Sequence, residues 1–247
     1  MLDKKMLTII RELCKENSEF AQAYNALLQE KYQILENVNQ EFRNYFALIL
    51  GNMQLMETKD GSLLENANWL QLVDDIKGLY ELLEQFSLYI ACDEIKQNPM
   101  NIQELIQSIF QHFHAISIMK EIDMELEVAE DVEEISKTYV TDHIKLREIL
   151  VNLIKNATES VEVGGKIRVA IEKEKEDTLK ISVKNNGAMM LQGQKEEIFE
   201  PRFISQKGKN GLELPLCAKF AALLNGTIEV DSTEQETSFQ ICLPIAG

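Results

Sequence analysis

The stretch from residue 143 to 160 reads HIKLREILVNLIKNATES, and it carries two patterns at once. Leu146, Leu150, Leu153 and Ala157 recur at helical spacing and form an apolar stripe. Glu148, Asn152 and Asn156 lie four apart on the opposite side. A solvated face is the plain reading of those three, but asparagine suits it badly. It costs about half a kcal/mol or more against alanine in a helix, and Glu or Lys would serve better. Two amides in register with a carboxylate suggest neutral oxygens aimed at a ligand, such as Mg²⁺ with bound phosphates.

Two segments downstream extend this picture. ISVKNNGAMM, residues 181–190, reads as a strand running into an Asn-Asn-Gly turn. IFEPRFISQKGKNGLELPL, residues 198–216, sets a loop containing glycine and lysine just before a helix over about 212–224. A helix N-terminus receives phosphate well. Each feature is common by itself, and the order of the three is what carries information. Around them, EIDMELEV (121–128) and TYVTD (138–142) read as strands, and KIRVAIEKE and TLKISVKN as two more joined by a charged turn. TIEVDS and SFQICLP close the chain as a final strand pair. With a helix over 102–118 capped by Asn101 and Glu104, this predicts a two-layer α+β domain.

Upstream, residues 2–57 read as helix almost throughout. Leu28, Leu35, Phe42, Ile49 and Met56 recur every seven residues, with Val38, Tyr45, Phe46 and Met53 at the intervening spacings. Such a repeat predicts a seam for packing against other helices. KDGS (59–62) breaks the helix at an Asp-Gly turn, and Ser62 with Glu65 has the form of a capping box for the next one. That helix carries Leu72, Ile76, Leu79, Leu83, Phe86 and Ile90, three and four apart. The pair predicts a helical hairpin whose bare side a second copy would cover as a four-helix bundle. Pro99, in KQNPMN (96–101), marks the boundary with the second domain. The expected division is an N-terminal helix at 1–19, a hairpin dimerisation domain at 20–98 and the α+β domain at 99–247.

Composition narrows the function classes. The net charge of −16 argues against nucleic acid, whose binding rests on Lys and Arg neutralising phosphates. No apolar run approaches the roughly 18–20 residues of a membrane span, and the N-terminus lacks a cleavable signal pattern, so a cytoplasmic protein is expected. Cys14, Cys92, Cys217 and Cys242 fit neither a zinc site nor a disulfide framework, and free, mostly buried thiols are expected. His112, His114 and His143 are the only histidines, and the first two lie two apart on a helix, on different sides.

Taken in order, the motifs resemble the core of sensor histidine kinases, in the style of the nitrogen-regulatory and sporulation kinases. LREILVNLIKNATES looks like that family's N box, and ISVKNNGAMM stands where it has its first glycine box, Asp-x-Gly-x-Gly. IFEPRFISQKGKNGLEL is similar to its F box and second glycine box. The resemblance covers about residues 20–247. It implies a Bergerat-type ATP-binding domain behind a hairpin for dimerisation and histidine phosphotransfer. It gives Glu148 a polarising role, Asn152 the Mg²⁺ position and Asn156 a phosphate or base contact, with Asn185, Gly187, Lys209 and Gly211 in the glycine boxes.

The departures are as informative. Where the family has His-Glu-x-Arg-Asn, this chain has Gln40, Glu41, Phe42, Arg43 and Asn44. Gln40, two residues from Phe42, is expected to point outward from the seam. A carboxamide lacks the nucleophilic nitrogen of imidazole and cannot accept phosphate as histidine does. No histidine precedes His112, so none in the hairpin could take over. Asn185 stands where the family has an adenine-binding aspartate, and it gives up a charge-assisted bond. Met189 replaces a glycine and is expected to fill space near the base. Glu213 replaces another and brings a carboxylate toward the phosphates, against like charge. Gly208 could stand in for a lost glycine by a one-residue shift, and Lys209 could offset part of the charge. The resemblance with these losses implies a dimeric pseudokinase that binds a response regulator or partner kinase. Two other readings stand beside it, a weak Mg-ATP-responsive switch or residual ATPase, and a phosphorelay phosphotransferase.

Overall fold

The computed structural model describes residues 4–91, 95–201 and 211–245. The chain divides into two compact units, Met1–Ala91 and Cys92–Gly247.

The first unit is helical. Helix α1 (Lys4–Glu16) ends at Asn17, whose extended backbone and side chain start α2 (Ser18–Lys59) by accepting from the Phe20 N–H at 3.0 Å. Helix α3 (Ala67–Ala91) runs back along α2. The capping differs from the expectation: Gly61–Glu65 is a short 3₁₀ turn, in which the Ser62 N–H and hydroxyl both donate to Asp60. Asn66 caps α3, accepting from the N–H groups of Asn68 and Trp69. An aspartate and an asparagine, each free to turn on its own backbone, win over the Ser62–Glu65 pair. Near the turn, Trp69 Nε1 donates to Glu57 at 2.9 Å.

The seam also runs differently. The α2 residues turned inward are Asn39, Arg43, Phe46, Leu50, Met53 and Glu57, three and four apart. Of the sevenfold series, Leu28 and Leu35 are half-buried, whereas Phe42, Ile49 and Met56 are exposed. A straight α-helix drifts by roughly 20° per heptad against a strict seven-residue repeat. Over four heptads the line therefore leaves the buried side. With Leu27, Ile34, Val38 and Tyr45 it makes a bare apolar stripe along α2. Leu72 and Leu79 are likewise exposed on α3.

The second unit is a five-stranded sheet with helices on one face. Strand β1 (Asn98–Met100) leads into α4 (Ile102–Met119), capped by Asn101 through the Glu104 N–H. Then come β2 (Asp123–Val128), the short α5 (Glu133–Lys137), β3 (Tyr139–Thr141) and α6 (His143–Ser160). Strands β4 (Lys166–Lys175) and β5 (Thr178–Asn185) form a hairpin, followed by α7 (Gln192–Glu197) and α8 (Glu213–Leu223). Strands β6 (Thr227–Ser232) and β7 (Thr237–Pro244) complete the sheet in the order β2-β4-β5-β7-β6. Among the described strands only β2 and β4 pair in parallel, and β1 pairs with β3 apart from the main sheet.

Alternation sets the layers. Ile167, Val169 and Ile171 of β4, Leu179, Ile181 and Val183 of β5, and Phe239, Ile241 and Leu243 of β7 are buried. They share a core with Leu146, Ile149, Leu150 and Leu153 of α6, Phe220 of α8 and Ile106 of α4. The opposite face is charged, with pairs such as Lys180–Glu172 at 2.7 Å and Arg168–Glu125 at 3.4 Å. Cys217 is buried, whereas Cys14 and Cys242 are partly exposed; Cys92 lies outside the described residues. No helix of the described residues is long and apolar enough to cross a membrane.

Candidate functional site

Helix α6 is positioned by its cap. Asp142 is buried and accepts from the N–H groups of Lys96, Ile144 and Lys145 and from Lys145 Nζ, the last at 2.9 Å. Burial alone would raise its pKa, but these bonds and the ammonium outweigh it and hold the carboxyl below its ordinary value. The C-terminal end of α6 is fixed by a close approach. A Cβ on Gly187 would lie 2.7 Å from the Ser160 carbonyl carbon and closer still to its oxygen, so only glycine fits. Asn185 is buried at the end of β5, and its carboxamide oxygen accepts from the Gly187 N–H at 3.0 Å. It thus shapes the turn that lays Gly187 against α6.

Between α6, α7 and the start of α8 lies an open cleft of about 370 Å³. Asn156 and Ser160 line it from α6, Gln194 and Glu197 from α7, and Glu213 and Pro215 from α8, with Met190, Ile198, Gly211 and Leu214 completing the wall. Pro215 is tolerated because it falls in the first turn of α8, where an N–H has no intrahelical acceptor. The apolar side chains offer a flat ligand a dry wall, and Asn156, Ser160 and Gln194 offer hydrogen bonds.

The three α6 residues singled out by spacing part company here. Asn156 reaches the cleft. Asn152 is buried, only 6% exposed, beside the Cys217 thiol of α8, which donates to the Ile149 carbonyl at 3.8 Å. Burial pushes that thiol far up, and the charges of Glu213 and Glu148 add to the shift. Glu148 is half-buried, 3.6 Å from Arg147. The side of α6 expected to be open is therefore largely covered by α8. Met189 is 46% exposed and does not line the cleft; Met190, one residue on, does, with its N–H bonded to Ser232. Lys209 and Gly208 lie outside the described residues.

The sequence reading missed Lys155, whose Nζ meets Glu213 Oε1 at 2.9 Å. Its place beside Asn156 was the available signal. Without knowing where α8 packs, nothing paired it with Glu213.

In the helical unit, Gln40 is exposed. Its amide oxygen accepts from Arg43 Nη2 and its amide nitrogen donates to Asn44 at 3.3 Å. Glu41 and Asn44 are exposed and Arg43 half-buried. One residue earlier, Asn39 is buried and donates to the Leu83 carbonyl at 3.0 Å and to the Ser87 hydroxyl. This polar contact inside the hairpin was also missed.

Residues 141–247 match the family described as histidine kinase-, DNA gyrase B- and HSP90-like ATPase. The chain is 23% identical over 217 residues to sporulation kinase E of Bacillus subtilis, covering 86% of this chain and 28% of that protein. It is 24% identical over 208 residues to sporulation kinase D of the same organism, covering 84% and 40%. The chain thus spans less than half the length of these curated relatives. Among solved structures, the catalytic domain of the histidine kinase ThkA matches at 28% identity and a TM-score of 0.55, covering 62% of this chain and 99% of that one. Full-length ShkA in complex with AMPPNP matches at 22% and 0.72, covering 86% and 45%. ThkA in complex with the response regulator TrrA matches at 21% and 0.63, covering 93% and 67%. The last two likenesses establish the fold.

Proposed function

We propose that this chain, whose residues 141–247 match the histidine kinase-, DNA gyrase B- and HSP90-like ATPase family, is a histidine kinase core that acts as a dimeric pseudokinase. It binds a response regulator or a partner kinase and modulates phosphosignalling without phosphorylating itself. The observation that carries the reading is Gln40, exposed at the acceptor position and held by Arg43 and Asn44. Its carboxamide has no nucleophilic nitrogen to take a phosphoryl group. Residues 20–98 serve as the dimerisation hairpin behind the helix at 1–19, and residues 99–247 as the ATPase domain. The bare stripe of Val38, Phe42, Tyr45 and Ile49 supports self-association within residues 20–95. A response regulator is the favoured partner class, because the fold is shared with a kinase solved with one bound. The test is to incubate the purified chain with radiolabelled ATP and, separately, to measure its binding to phosphorylated and unphosphorylated regulators of the same cell. Binding without acid-labile label is expected; label on the chain, or no regulator or kinase bound, defeats the reading.

The cleft lined by Asn156, Ser160 and Gly211 favours a second reading, a switch responsive to Mg-ATP, which needs no phosphoacceptor. Saturation at 100 times the dissociation constant stabilises a protein by about 2.7 kcal/mol. Absence of any thermal shift at millimolar Mg-ATP removes it. The third reading, a phosphorelay phosphotransferase, requires radiolabel passing from a phosphorylated regulator to this chain.

A further inference from the structure

The described charged residues lining the cleft are Glu197 and Glu213, both carboxylates. Among the described residues, Lys155 is tied to that wall by its ion pair with Glu213 at 2.9 Å. Lys155 precedes the cleft residue Asn156 on α6, and Glu213 is the first residue of α8. The Glu213 side chain is 12% exposed and that of Lys155 is 35% exposed, so the pair is partly withdrawn from water. Charges so placed are screened less than surface pairs. The carboxylate also faces the positive end of α8, which favours an anion there.

A phosphate group entering the cleft would seek the same two partners, the ammonium of Lys155 and the N-terminal end of α8. We propose that Lys155 is the cleft's latent phosphate-binding cation and that Glu213 is its built-in competitor. The internal carboxylate occupies the anion's place, so the cleft discriminates against phosphorylated nucleosides in favour of uncharged ones. This rests on reading the cleft as a nucleotide site. It adds to that reading the residue that sets ligand charge, and it makes the replacement at Glu213 an active restraint.

Competition of this kind has a definite signature. Glu213→Gln keeps the size of the side chain and removes the charge paired with the ammonium. Isothermal titration of the full chain with Mg-ATP, Mg-ADP and adenosine should show Mg-ATP tightened by about tenfold or more in Glu213→Gln, the scale of one charge-assisted bond regained. Adenosine affinity should stay within about twofold. Adding Lys155→Met to Glu213→Gln should abolish the gain. Circular dichroism and thermal unfolding establish that each variant is folded, and Lys155 should become more reactive to acetylation in Glu213→Gln, a readout independent of ligand.

Unchanged or weaker Mg-ATP binding in a folded Glu213→Gln overturns the proposal. An equal gain for adenosine does so too, because it would mean a loosened wall. Parent protein that already binds Mg-ATP as tightly as the variant sinks this inference and leaves the nucleotide site standing. Binding of no ligand by any variant sinks both.

Discussion

At the scale of the residue, Gln40 and Gly187 show two ways in which one side chain fixes what a site can do. Gln40 is exposed, and its carboxamide is occupied on both sides by Arg43 and Asn44. Gln40→His restores an imidazole, but it changes nothing at Asn185 or Glu213. We therefore expect no phosphohistidine from Mg-ATP in this single variant, read as acid-labile, base-stable radiolabel; label there would show the ATP site to be competent. Gly187 works by absence. A Cβ there would lie 2.7 Å from the Ser160 carbonyl carbon, so a methyl group has no room. Gly187→Ala must push the turn from α6 and is expected to cost about 1–3 kcal/mol, as overpacking does, measured by urea unfolding of the full chain. Because Asn185 holds the same turn, Asn185→Ala should destabilise in the same direction, by roughly 1 kcal/mol for one lost hydrogen bond.

At the scale of the element, α6 is the part of the site most legible beforehand. The expected helix over 143–160 coincides with α6, because Asp142 provides a cap and Leu146, Leu150, Leu153 and Ala157 a stripe that admits one orientation. What the spacing did not reveal is its second covered side. Helix α8 reads ELPLCAKFAAL, apolar nearly all round, and such a helix gives no direction from its own pattern. Hence the burial of Asn152 and the pairing of Lys155 with Glu213 were invisible in one dimension. The short elements β1, α5 and α7 were missed for a related reason: with three to six residues, they have too few positions to show a period.

The cap makes a prediction in pH. Asp142 has a depressed folded pKa, so it contributes stability above its unfolded pKa, near the ordinary 3.8, and loses it as pH falls through the lower folded value. Asp142→Asn should cost about 1–3 kcal/mol at neutral pH, for a cap and a buried charge-assisted bond. The difference from the parent should shrink once the pH falls below 3.8. Urea titrations followed by far-ultraviolet circular dichroism at several pH values would measure it; a gap independent of pH would mean that the carboxylate charge is idle.

At the scale of the whole molecule, the helical unit poses the question of assembly. The exposed stripe on α2 includes Phe42 at 50% and Tyr45 at 65%, too much aromatic surface in one line for an ordinary monomer face. Inside the hairpin, Asn39 bonded to Leu83 and Ser87 fixes the register of α2 on α3, as buried asparagines do in coiled coils. Phe42→Glu places a charge on the stripe and leaves that internal contact alone. Sedimentation should find the parent at twice its 28.3 kDa and Phe42→Glu at the single mass. Trp69, the single tryptophan, is bound to Glu57 within the hairpin and reports whether the variant stays folded. A parent sedimenting as a monomer would refute the assembly.

The sheet order carries one more consequence, for biosynthesis. Strand β7 follows both its neighbours in the chain, yet it lies inside the sheet, between β5 and β6. Tyr139, ahead of α6, donates its hydroxyl to the Pro244 carbonyl at 2.6 Å, closing a span of 105 residues. Until residue 244 has left the ribosome, β5 has an open edge, and Ile181 and Val183 lack the neighbours Ile241 and Phe239. An interrupted chain of this protein is therefore a molecule with an unpaired apolar strand, the form most prone to stick to its own kind. Nascent chains stalled before β7 should engage chaperones and resist little proteolysis, and those stalled after it should not.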